Sequence, residues 1–118
     1  MKKMFMVFAL LIFMAAASTA YAHPPSDIKI TFNPSTKILT AAIIHNTSNP
    51  SKHYINKVDV GLNGKDIITQ MISKEDNNAS QTVSYLIPDA KAGDILSVEG
   101  HCSISGALKK EISVAMGQ

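Results

Sequence analysis

The sequence contains no arginine: all eleven of its basic residues are lysines. Without the planar, five-donor guanidinium there is no bidentate fork for phosphates or guanine edges, and no basic patch interleaved with aromatics stands in for it. Nucleic acid is therefore not an expected partner. There is a single cysteine, Cys102, so no disulfide forms within the chain, although disulfides are the usual staple of small secreted folds. No nucleophile elbow and no H-E-x-x-H is present, which leaves conventional hydrolytic chemistry unsupported. Asp89 and Asp94 bracket the segment PDAKAGD, where aspartate serves turns more often than acid–base work. Repeats, low-complexity tracts, linkers and helical periodicity are all missing after the first 22 residues.

What is present begins with Lys2 and Lys3, the apolar run MFMVFALLIFMAAA from Met4 to Ala17, and STAYA, whose Ala20 and Ala22 form an A-x-A site. This reads as a secretory signal peptide over residues 1–22. The run is shorter than the roughly 20 apolar residues a bilayer core needs, so no stable membrane anchor is expected. Cleavage after Ala22 leaves one domain, residues 23–118, beginning at His23, exported to the periplasm or beyond. Loss of Lys2 and Lys3 leaves nine lysines facing nine acidic residues, a nearly neutral protein.

The rest of the chain is patterned for strands. DIKITF alternates Ile28, Ile30 and Phe32, with the turn chemistry of NPST behind it. KILTAAII reads as a more fully buried strand. YINKVDVGL puts Tyr54, Val58, Val60 and Leu62 on one side, and Asn63-Gly64 signals a type I′ hairpin into KDIITQMIS. KEDNNASQ is a polar surface loop. TVSYLI, ILSVEGHCSI and KEISVAM follow, the last with Ile112, Val114 and Met116 aligned. About seven short strands predict an all-β, immunoglobulin-like antiparallel sandwich, with a barrel as the alternative closure. Lys109 and Lys110 read as a solvated edge that discourages strand-to-strand aggregation.

Four histidines, His23, His45, His53 and His101, all lie next to a loop or terminus. His45 ends one strand and His53 precedes the next, so one connection carries an imidazole at each end. Imidazole is the commonest side-chain metal ligand, and Pro24 and Pro25 stiffen the chain beside His23. Cys102 is open to three readings: a buried apolar residue sharing a face with Leu96, Val98 and Ile104, an intermolecular bridge, or a ligand. His101, adjacent on an extended strand, points away from Cys102 unless a bulge at Gly100 re-aims one of them.

The H-x-P opening at His23, the strand-ending His45, the HYI of His53 to Ile55 and the late C-x-x-x-G of Cys102 to Gly106 together resemble the iron domain of superoxide reductases, the desulfoferrodoxin and neelaredoxin family. The resemblance spans essentially the whole of residues 23–118. It implies mononuclear ferrous iron held by His23, His45, His53 and the Cys102 thiolate, with superoxide reduced to peroxide at an open position by electrons from an unspecified donor. Thiolate and imidazole ligands suit that iron chemistry. The chain departs from the family at Ser105, where a fourth histidine is usual, and at Tyr21 and Ala22, where the family has a Glu-Lys pair. Lys52, beside His53, is the nearest cation in sequence. Two other readings stand beside this one: a non-catalytic copper- or zinc-binding sandwich, with the amine of His23 as an extra ligand if the chain is cut there, and a metal-free interaction module.

Overall fold

The computed structural model describes residues 23–116, and the segment read as a signal-peptide helix lies outside them. Seven strands form: β1 (Asp27–Asn33), β2 (Ile38–Ile44), β3 (Ile55–Leu62), β4 (Lys65–Met71), β5 (Ser80–Leu86), β6 (Ile95–Cys102) and β7 (Ala107–Ser113). They pair antiparallel in two sheets, β1-β2-β5 and β4-β3-β6-β7. This is an immunoglobulin-like sandwich with its fourth strand on the edge of the larger sheet. No helix among the described residues is long and apolar enough to cross a membrane.

Alternation builds the core. Ile28 faces inward from β1, Leu39, Ala41 and Ile43 from β2, Val58 and Val60 from β3, Val83 from β5, and Leu96 and Val98 from β6. Burying each large aliphatic side chain contributes about 1.5–3 kcal/mol. β2 is buried on one face only, for Ile38 is exposed and Thr40, Ala42 and Ile44 are half-buried, because none of the described residues packs fully over the outside of its sheet. At the far end Val114 closes the core, whereas Met116 is exposed beyond the last strand, breaking the alignment expected of it. Ile104 likewise sits in the turn after β6, 57% exposed, and does not share the inward face of Leu96, Val98 and Cys102.

The turns follow their residue chemistry. Asn33 Oδ1 accepts the N–H groups of Ser35 (2.9 Å) and Thr36 (3.2 Å), closing β1 onto β2. Asn63 and Gly64 have φ of 52° and 87°, the two positive values a type I′ hairpin requires. Asp94 accepts from Asn63 Nδ2 and Lys91 N, so it is a turn anchor.

One irregularity decides which side chains reach the site. Pairing of β3 with β6 runs Ile55↔Cys102 and then Lys57↔His101, a register shift that leaves Asn56 as an extra residue. A bulge reverses the alternation beyond it. Ile55, not Tyr54, therefore takes the inward position, fully buried, while Tyr54 is half-buried.

Candidate metal centre

The inward alternation of β2 continues one step past its end. His45 follows Leu39, Ala41 and Ile43 and is completely buried. Its backbone N–H donates to Ala79 O at 3.0 Å, which fixes it against the β4–β5 loop. His53 is delivered by the β2–β3 loop, where the N–H groups of Lys52 and His53 both donate to Asn49 O (3.1 and 2.9 Å) in a tight turn. Lys52 is exposed. His23 arrives from the segment ahead of β1: Pro25 is buried, and Ser26 N donates to Ile44 O at 2.9 Å, extending the β1–β2 pairing outward.

The three imidazoles meet. Ring centroids are 4.9 Å apart for His23 and His45, 5.1 Å for His23 and His53, and 4.7 Å for His45 and His53, all tilted or edge-on. One donor nitrogen from each lies within 4.8 Å of the others, a group able to hold a metal ion. An ion bonding imidazole at about 2.0–2.1 Å gathers nitrogens from such distances with modest ring rotations.

Glu75, in the loop expected to be merely polar surface, is only 1% exposed. Its Oε1 accepts from His45 Nδ1 at 2.7 Å and from Ile55 N at 3.0 Å, and its own N–H donates to Pro50 O at 3.1 Å. With Nδ1–H engaged, His45 keeps Nε2, which stands 3.3 Å from the His23 carbonyl oxygen, as its ligand atom, the carboxylate–histidine arrangement that commonly sets ligand orientation. Nothing in the pattern of KEDNNASQ distinguishes Glu75 from its neighbours, since burial there comes from loop packing. Its Oε2 and the Nε2 of His53 are buried with no hydrogen-bond partner among the described residues. Such orphans are rare in folded proteins and ask for an explanation. Burial pushes the His53 imidazole below the ordinary histidine value, repulsion from His45 and His23 adds to this, and Glu75 opposes it. A ring so placed resists protonation, and a neutral ring is what a metal binds.

Cys102 lies inward and is 8% exposed, but it is not part of the group formed by the three histidines. Its turn is nonetheless laced to them. Ser103 N donates to Tyr54 O at 2.7 Å, and Tyr54 N donates back to Ser103 Oγ at 3.1 Å, one residue after His53. Gly106, at φ +86°, lies against Pro24, next to His23. Gly100 leaves room for Ile43 and Pro25. The thiol accepts a long contact from Ile104 N at 3.5 Å. Ser105 is exposed. His101 points to the opposite face of its sheet, toward Asp59 and Glu99, because the bulge falls on β3 and leaves the alternation of β6 intact.

Comparison of the chain with protein-family models, with curated proteins and with solved structures finds no match to any of them. The chemistry of the cluster must then speak for the site.

Proposed function

We propose that this is an exported protein that binds one transition-metal ion through His23, His45 and His53, with Glu75 holding His45 in its binding orientation. The observation that carries the reading is the buried, partnerless Nε2 of His53 inside a cluster of three imidazoles. A metal-free interaction module has no use for such an atom, which costs about 1–3 kcal/mol when left unsatisfied. Three imidazoles suit iron, copper or zinc.

The finer reading is a superoxide reductase-like activity, in which Cys102 closes on the ion as thiolate. Iron would supply one electron to superoxide, which takes up two protons and leaves as hydrogen peroxide, and an external donor would restore the ferrous state. The chain's own contribution is positional. Pro24 packs against Gly106 in the turn after Cys102, and Tyr54, next to His53, is hydrogen-bonded to Ser103 in the same turn. A copper- or zinc-holding role without turnover is the second reading, favoured by the thiol standing outside the imidazole group.

Metal analysis and absorption spectra of the purified protein separate these. One equivalent of metal more in the native protein than in His53→Ala is the expected result. Equal metal content in both refutes the site. A thiolate charge-transfer band that disappears in Cys102→Ser marks the reductase, and a spectrum indifferent to that substitution marks the imidazole-only site.

A further inference from the structure

A second constellation lies on the outer face of the larger sheet. Asp59 on β3 and Glu99 on β6 are directly opposed in register, and His101 follows two residues after Glu99 on the same face. His101 Nε2 is 2.9 Å from Asp59 Oδ2 and 3.1 Å from Glu99 Oε1. Ionised carboxylates only accept, so the ring nitrogen carries a proton shared between them. Thr69 Oγ1 donates to Asp59 Oδ1 at 2.7 Å, which orients this carboxylate and leaves Oδ2 for His101. Lys57 Nζ stands farther off, 3.8 Å from the same oxygen.

Two like charges opposed across neighbouring strands are destabilising unless a cation stands between them. Here the His101 N–H stands in that place, with the Lys57 ammonium 3.8 Å from Asp59 Oδ2. Zinc in tetrahedral coordination keeps imidazole nitrogen and carboxylate oxygen at about 2.0–2.2 Å, which sets its ligands roughly 3.4 Å apart. The two spacings from His101 are only a few tenths of an ångström shorter, on two hydrogen-bonded strands that hold the backbone fixed. The donor atoms of all three residues lie within 4.8 Å of one another.

We infer that Asp59, Glu99 and His101 form a second metal site, for a divalent cation of the zinc class, in which the ion replaces the shared proton and water completes the coordination. The mixed nitrogen–oxygen donor set fits zinc or copper(II) and offers no soft ligand to a monovalent ion. The ion clamps β3 to β6 on the face opposite Cys102, stiffening the strand that carries the thiol. This site does not depend on the histidine cluster.

The test is a zinc titration of the purified full chain against a competing chromophoric chelator, with folding checked by circular dichroism. The His53→Ala protein should bind one zinc, and His53→Ala with His101→Ala none. Glu99→Gln, at a partly exposed position that leaves the Asp59–Thr69 bond intact, should weaken that remaining zinc by at least about tenfold. Zinc binding by His53→Ala that is unchanged by either added substitution, or no zinc bound by His53→Ala at all, overturns the inference. Loss of an equivalent between native protein and His53→Ala reports on the histidine cluster instead, so the two sites fail separately.

Discussion

Replacing Glu75 perturbs the site at a residue that ties it to the core through Ile55 N. Among the described residues Glu75 Oε1 is the acceptor for both His45 Nδ1 and Ile55 N, and the His45–Glu75 pair is fully buried on both sides. In Glu75→Ala both donors lose their acceptor in a place water does not reach, and a cavity opens. Two buried donors left unsatisfied cost about 1–3 kcal/mol each. For a domain of under 100 residues each kcal/mol moves Tm by roughly 4–8 °C, so the metal-free protein should melt at least about 8 °C lower. Glu75→Gln makes a sharper comparison. The amide oxygen can still accept from Ile55 N and from His45 Nδ1, which keeps the loop docked, but without the full negative charge that strengthens the ligand. Metal affinity should then drop by about 10–100-fold. Calorimetric melting of the metal-free proteins gives the first quantity and chelator competition the second. A Tm within about 4 °C of native for Glu75→Ala, together with native affinity for Glu75→Gln, would refute the claim that this carboxylate holds His45.

Two further outcomes follow from the same geometry. Because burial and the neighbouring imidazoles hold His53 below the ordinary histidine value of 6.5, the unfolded chain binds its proton at higher pH than the folded one. Stability of the metal-free protein is therefore complete above the unfolded value and is lost as pH falls from there through the depressed one. Urea midpoints measured against pH should decline over that window in the native protein and stay flatter in His53→Ala, and identical profiles would contradict the assignment. In Gly106→Ala the new Cβ stands 2.9 Å from Pro24 Cβ and 3.1 Å from Pro24 Cδ, at a φ of +86°. Strained backbone of this kind costs about 1–3 kcal/mol, and since the proline beside His23 must give way, weaker metal retention should accompany the lower denaturation midpoint.

The strands were legible because each needs only its own alternation and a turn residue to announce it, as Asn33 and Asn63 do. The convergence of His23, His45 and His53 was legible for a related reason: all three stand where the chain leaves or enters a sheet, and the inward run of Leu39, Ala41 and Ile43 points straight to His45. Tyr54 was misplaced because one unpaired residue, Asn56, reverses the faces, and a bulge leaves no mark in hydropathy. Glu75 was invisible since loop–loop contacts, not periodicity, bury it. His101 was anticipated to point away from Cys102, but the partners it finds there, Asp59 and Glu99, come from strand register, which is a property of pairing and not of any one segment.

The histidine cluster draws His45 from the end of β2 and His53 from the entry to β3, strands that belong to different sheets. Many sandwiches of this architecture pin their halves with a disulfide, which this chain has no second cysteine to make. A captured ion would do that job reversibly: stripping it with a chelator should free the two halves to part sooner under denaturant, so that in this molecule resistance to unfolding becomes a gauge of metal supply.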